Sequence, residues 1–158
     1  MAELQNEPVI KISSENFDAI YWHLGKDTIF MQRRVHYKAA QTDIDVFGNC
    51  VYFAMANLNN DELAFIRNGR TNKLQGNLAF FIPPYSIIEW EFAGRCFDYC
   101  SIITTKEVPA DLPTEPVVFT VDPSEANPFS AEEVYALVKK QSKLTPVGRE
   151  NRVSSTAR

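Results

Sequence analysis

Cysteine, histidine and glycine are all scarce in this sequence, and each scarcity removes a class of function. The cysteines are Cys50, Cys96 and Cys100, an odd number behind an N-terminus that lacks the basic-then-apolar pattern of an export signal. A disulfide framework is therefore not expected, and the thiols read as free, small apolar fillers. Cys96 and Cys100 fall in a stretch that reads as a strand, where four residues span roughly 13 Å, beyond the roughly 7 Å between Cα atoms that a disulfide tolerates. His23 and His36 are the only histidines, and no His-x-His, Cys-x-x-Cys or His-Glu-x-x-His spacing occurs. Metal sites need several such ligands to converge, and neither histidine sits beside a recognisable nucleophile. The six glycines never fall as Gly-x-Gly, so no phosphate-binding loop is expected. No apolar run reaches the ~18 residues of a membrane span. Basic residues are also outnumbered, sixteen against twenty acidic, giving a net charge of −4, which is the wrong sign for a nucleic-acid-binding surface. The expectation is a cytoplasmic protein with no catalytic residue, no metal, no cofactor and no membrane contact.

What is present fits one domain of 158 residues, with 45% apolar and 23% charged residues. Eleven Phe, six Tyr and two Trp, concentrated between Phe17 and Tyr99, suit the pleated surface of strands. Val9–Ile12 reads as an edge strand. Ser14-Glu15-Asn16 reads as the cap of a short helix, with Phe17, Ile20 and Leu24 at helical spacing and Gly25 as its stop, although Ile20-Tyr21-Trp22 would also suit a strand. Strands are then expected over Thr28–Tyr37, Cys50–Ala56, Leu63–Arg67, Leu78–Ile82, Ile87–Phe92 and Cys96–Thr104. Asn68-Gly69 is a strong hairpin signal because both central turn positions need positive φ. Pro83-Pro84-Tyr85-Ser86 reads as a rigid corner, and after it Ile88, Trp90 and Phe92 share one face of a strand while Glu89 and Glu91 share the other. Short strands at such spacing indicate an all-β sandwich or barrel.

Beyond Val108 five prolines, Pro109, Pro113, Pro116, Pro123 and Pro128, break the pattern, with Val117–Val121 among them as one more strand. Ser130 and Glu133 then form a capping box, and Phe129 and Val134 are placed for a hydrophobic staple. Val134, Leu137 and Val138 make the buried stripe of the helix that follows, Tyr135 faces away from much of it, and Lys139, Lys140 and Lys143 complement its dipole. The last twelve residues hold three arginines against one glutamate, a local +2 that leaves −6 for the remainder.

The run Gly76-Asn77-Leu78-Ala79-Phe80-Phe81-Ile82-Pro83-Pro84-Tyr85-Ser86-Ile87-Ile88-Glu89-Trp90 resembles the Gly-(Asp/Asn)-hydrophobic-Ile-Pro-Pro-(Tyr/Phe)-Ser segment of the cupin-like sensory domains of AraC-type transcription regulators. Gly48–Ala56 and the hairpin after it resemble the preceding β-meander, so the likeness runs from Arg33 to Thr104. The resemblance implies a mainly β fold: a cupin-like double-stranded β-helix barrel, or jelly roll, with a C-terminal α-helix. It divides the chain into a barrel at 1–125, a docked or dimerising helix at 126–143 and a basic linker at 144–158. In such regulators a pair of helix-turn-helix motifs follows, and the residues after Ser142 are too few for them. DNA would then be reached only through a C-terminal domain that this chain does not include. Metal-dependent cupins are similar too, but where they tend to carry a histidine after the corner this sequence has Ile87 and Ile88, and His36 alone cannot hold a metal.

The leading expectation is a sensory and dimerisation domain with a small-molecule effector and a homodimeric state. The alternatives are a stand-alone, non-enzymatic cupin binding protein and, behind it, a metal-dependent cupin enzyme. Candidate ligand-lining residues are Tyr52, Ile88, Trp90, Phe92 and Tyr99, with Arg34, His36 or Arg95 to meet an anionic group; plain core packing is the competing reading for each aromatic. Candidate dimerisation residues are Val134, Tyr135, Leu137 and Val138, which form a lid if they cover their own barrel and a seam if they meet a second copy.

Overall fold

The computed structural model describes residues 10–36, 41–57, 63–67, 70–74, 76–92, 96–122, 124 and 127–146, leaving aside the side chains at 41–43, 63–67, 70–74, 91–92 and 96–97. Among the described residues the chain forms β1 (Ile10–Ser13), β2 (Phe17–His23), β3 (Thr28–His36), β4 (Gln41–Val46), β5 (Val51–Asn57), β6 (Leu63–Arg67), β7 (Arg70–Leu74), β8 (Asn77–Ile82), β9 (Ile87–Phe92), β10 (Cys96–Thr104), β11 (Val117–Thr120), α1 (Ala131–Lys139) and β12 (Thr145–Pro146). An eight-stranded sheet has the order β1-β2-β3-β10-β5-β8-β11-β12, and a four-stranded sheet has the order β4-β9-β6-β7. All pairings are antiparallel. The mainly β expectation therefore holds, with the helix at its C-terminal side.

Alternation along the strands sorts side chains into two cores. Val35, Ala54, Ala56, Leu78, Phe80, Ile82 and Val118 of the large sheet meet Ile88 and Trp90 of the small sheet in the barrel interior. The odd-numbered neighbours Val51, Phe53, Ala79, Phe81, Val117 and Phe119 point the other way and pack with Val134, Leu137 and Val138 of α1. Leu78–Ile82 is buried at every position because the sheet is covered on both faces, which is why it reads as an unbroken apolar run and not as an alternation. Each large side chain so buried contributes roughly 1.5–3 kcal/mol relative to exposure.

The helix expected at Phe17–Leu24 is instead β2. Its spacing is ambiguous: Phe17 and Ile20 share a helix face but point to opposite faces of a strand. The strand uses both, with Phe17 and buried Ala19 on the barrel side and Trp22 on the other, 5.7 Å from the Phe30 ring. Ser14 caps a turn rather than a helix, its Oγ accepting from the backbone N–H groups of Asn16 and Phe17. Gly25, at φ +88°, turns the β2–β3 hairpin, where the Leu24 N–H donates to the Thr28 carbonyl.

Pro83–Ser86 forms a corner between β8 and β9, as expected. Ser86 Oγ donates to the Pro83 carbonyl at 2.7 Å, and the Tyr85 N–H donates to the Gly48 carbonyl. Tyr85 adopts φ +63°, a left-handed conformation that a side chain enters at a cost of order 1–3 kcal/mol, and is held there by these bonds. The hairpin register is also as expected, Arg67 opposite Arg70, while Asn68-Gly69 itself lies outside the described residues.

The helix begins where the sequence places it. Ser130 Oγ accepts from the Glu133 N–H at 3.1 Å, and the Glu133 carboxylate reaches back to the N–H of Phe129 rather than of Ser130. Phe129 and Val134 belong to the same cluster, completing the staple. Val134, Tyr135, Leu137 and Val138 are all buried within their own chain, so the stripe forms a lid on its own sheet and is not a free dimer seam. Tyr135 faces inward, not away: its ring is edge-on to Phe81 and its hydroxyl donates to the Lys106 carbonyl at 2.9 Å. Thr145 and Pro146, within the stretch expected as a linker, pair with Val118 and Val117; the residues beyond lie outside the described part.

Leu137→Glu is expected to unfold the domain, with a cost of roughly 3–5 kcal/mol, and urea titration with sedimentation distinguishes this from a folded monomer. Ser130→Ala removes only the cap and is expected to cost about 1 kcal/mol, read as a lowered urea midpoint with an unchanged slope.

Candidate functional site

Among the described side chains, the polar groups of the barrel interior fall along one line of register, with the Asp45 carboxylate at their border. Ala19 pairs with Arg33, Arg33 with Tyr99 and Tyr99 with Ala56; one rung on, Met31 pairs with Ser101 and Ser101 with Ala54. Arg33 shares the parity of Val35, which faces the interior, so its guanidinium turns inward, 3.9 Å from the centroid of the Phe17 ring. Its charge is stabilised by that π-face and by the more distant ring of Tyr99, at 6.0 Å. No carboxylate among the described residues lies within ion-pair distance of Arg33.

Two atoms of this group stand out. Arg33 Nε and Ser101 Oγ are buried with no hydrogen-bond partner, and Ser101 is only 1% exposed. A buried polar atom without a partner costs about 1–3 kcal/mol, more when charged, and such atoms are exceptions in native proteins. Around them stand two phenols, both held protonated. Burial raises the pKa of Tyr52 well above its ordinary value of 10, with Tyr99 and Asp45 adding to the rise and Ser101 and Arg33 opposing it. Burial likewise raises Tyr99, against the charge and hydrogen bonding of Arg33. Ser101 thus lies near enough to act on the Tyr52 hydroxyl without a bond of good geometry. Tyr52 also stacks on Phe47 at 5.0 Å, and Trp90 stands edge-on to Phe80 while its Nε1–H donates to Asp45 Oδ2 at 3.1 Å.

Of the sequence candidates, Tyr52, Ile88, Trp90 and Tyr99 are brought together in this interior cluster. Arg34 and His36 are not. They have the opposite parity to Arg33 and lie on the outer face, where Arg34 Nε contacts Asp98 Oδ1 at 2.7 Å and His36 stands 3.6 Å from Asp18. Arg34, Asp98 and Asp18 border a cleft of about 410 Å³ on that face. The side chain of Phe92 and the whole of Arg95 lie outside the described residues. Sequence reasoning missed Arg33 and Ser101, although parity held the signal: once Val35 is placed inside, Arg33 follows and Arg34 cannot.

Cys50 and Cys100 are free and half-buried, while the Cys96 side chain lies outside the described residues. Burial and the carboxylate of Asp98 push the Cys100 thiol up, the opposite of an activated nucleophile. Among the described residues no three His, Cys, Asp or Glu side chains converge, and no helix is long and apolar enough to cross a membrane.

No protein-family model matches this chain, and no curated protein matches it. Among solved structures it is similar to AerE from Microcystis aeruginosa, at 16% identity over 73% of this chain and 53% of that one, with a TM-score of 0.53. It is also similar to protein Ylba from E. coli, at 12% identity over 71% of this chain and 48% of that one, with a TM-score of 0.51. The alignments thus span about half the length of each of these two structures. A cupin domain of Cnp3 from Schizosaccharomyces pombe aligns at 6% identity over 57% of this chain and 61% of that one, with a TM-score of 0.46. At such identities the likeness is one of fold: a cupin-like β-barrel with a C-terminal helix.

The phenols tie stability to alkaline pH. Tyr52 and Tyr99 are raised above 10, and Tyr135 is pushed up to about 12 by burial and by Glu132. Because the folded values lie above the unfolded one, this stability is complete below pH ~10 and is lost as pH rises through the folded values. Ultraviolet titration of the native chain is expected to show a late group of phenols whose ionisation coincides with unfolding, and Tyr52→Phe should remove part of that group.

Proposed function

We propose that this chain is a small-molecule-binding barrel that serves as the sensory and dimerisation part of an AraC-type transcription regulator, whose DNA-binding half is not in this chain. The observation that carries the binding reading is the pair of buried, unpartnered polar atoms, Arg33 Nε and Ser101 Oγ, among protonated phenols and apolar side chains. A site of that make-up, mostly apolar walls with a few convergent polar groups, is what small molecules occupy. The reading is one of binding without chemistry. The regulator assignment draws its support from the Gly76–Trp90 run and from a chain whose acidic body gives way to a basic end.

Homodimerisation belongs to this proposal but not through the stripe of α1. Outward-facing apolar side chains are available elsewhere: Ile44 and Val46 on β4, beside Ile87 on β9, are all exposed.

Two measurements test the reading. A thermal-shift screen against small acids, sugars and aromatics is expected to find compounds that raise the midpoint, by RT ln(1 + [L]/Kd) in stability; a set of compounds none of which does so would remove the sensing function. Reading the encoding gene past the Arg158 codon is expected to reveal two helix-turn-helix patterns. A stop codon there would instead favour the stand-alone binding protein, and transition metal found by elemental analysis of the purified protein would favour the cupin enzyme.

A further inference from the structure

The interior polar group holds one cation, Arg33, and the carboxylate at its border, Asp45, is already bonded to the Trp90 indole. Arg33 brings one permanent positive charge into the barrel, and the hydroxyls nearest to it, Tyr52, Tyr99 and Ser101, are neutral groups able to donate. The guanidinium is already engaged on its face by Phe17 and toward the Tyr99 hydroxyl, while Nε, on one edge of the fork, has no partner. That edge, Nε–H with one Nη–H, is the side of the fork that meets two oxygens of a carboxylate in parallel. A single charge with neutral donors matches a monoanion better than a dianion. Asp45 acts electrostatically on both phenols and so disfavours a second negative charge. Trp90, Phe80 and Ala54 belong to the same interior cluster and make the surroundings of these groups apolar.

We infer that the barrel binds a small organic monocarboxylate with an apolar or aromatic body, its carboxylate taken by the Nε edge of Arg33 and by Ser101 Oγ. The inference rests on the reading of the barrel as a small-molecule site and adds to it the ligand class and the residues that select it. The competing role for Arg33 is structural, holding the Phe17 and Tyr99 rings in place, and the test must separate the two.

The full chain is titrated calorimetrically with acid–amide pairs, benzoate against benzamide and hexanoate against hexanamide, and with glucose and inorganic phosphate. The acid of at least one pair is expected to bind roughly ten- to a hundred-fold more tightly than its own amide, the range of a charged hydrogen-bonded contact. In the presence of that acid the Arg33 Nε–Hε resonance, assigned by its loss in Arg33→Lys, should shift. Arg33→Met should erase the acid–amide difference without lowering the melting temperature of the unliganded chain, since it removes a buried charge that has no carboxylate partner. If Arg33→Met does not fold, Arg33→Lys, which keeps the charge but not the fork, should lose most of the acid preference. Amides or glucose binding as tightly as the acids would overturn the inference while leaving the barrel a small-molecule site, and tighter binding of phosphate would overturn it in favour of a dianion. An acid preference that survives in both Arg33 variants would assign Arg33 to the structural role. Silence from every probe, acids included, would overturn the inference, and the wider screen against other compounds then decides the binding reading separately.

Discussion

Phe80 and Phe81 are neighbours on one strand, so they point to opposite faces of the large sheet, and the chain has to supply a cover for each. The small sheet covers the first through Ile88 and Trp90, and α1 covers the second through Tyr135 and its stripe. Much else follows from this double requirement. The proline-rich passage after Val108 joins β10 to β11 with Val108 and Leu112 packed on the α1 side, and the capping box fixes where α1 starts so that Val134 and Val138 join Phe53 and Phe81 in that cluster. The Lys106–Glu132 and Lys139–Asp111 pairs tie the helix back to that passage, although exposed pairs of this kind add little stability.

Legibility in the sequence followed the range of the interaction. The start of α1 was readable because its cap is local chemistry, a serine, a glutamate three residues on and a flanking phenylalanine. β2 was misread because Phe17, Ile20 and Leu24 satisfy a helical period, and only the presence of cores on both sides of the sheet makes a strand of Ile20-Tyr21-Trp22 satisfactory. β4 gave no signal, for an instructive reason. Its polarity is inverted: Ile44 and Val46 face solvent while Asp45 bonds the indole of Trp90, so neither composition nor alternation marks it as a strand with a buried face. β7, Arg70–Leu74, is polar along most of its length and is defined by its pairing with β6, which a sequence pattern does not display.

The candidate site shows the same division. Its aromatic walls were legible, since Trp90 and Ile88 alternate with glutamate and Tyr52 lies in an apolar run. Its charge was assigned to the wrong member of a pair. Arg33 and Arg34 are identical in type and adjacent, and a strand sends them to opposite destinations: one to Phe17 and the phenols inside, the other to Asp98 outside. Nothing within the dipeptide decides which is which; the decision is made two residues away, by Val35. Ser101 was invisible for a different reason, because a serine in a strand signals nothing until its neighbours across the sheet are known to be Met31 and Ala54.

The two covers also set a timetable for the backbone. The amides of β5 and β8 bond within the middle of the large sheet and lie beneath α1 on one side and the small sheet on the other. Water reaches them only when one of those covers lifts, so their protons are traded with solvent at the pace of the largest openings of the fold. β1 at one rim and the two-residue β12 at the other, where Thr145 carries the one amide N–H, have no such shelter and exchange by fraying. A map of exchange half-lives across the sheet would rise from both rims toward β5 and β8, and any molecule lodged beside Arg33 would lengthen the half-lives on the barrel face of that map before it altered the rims.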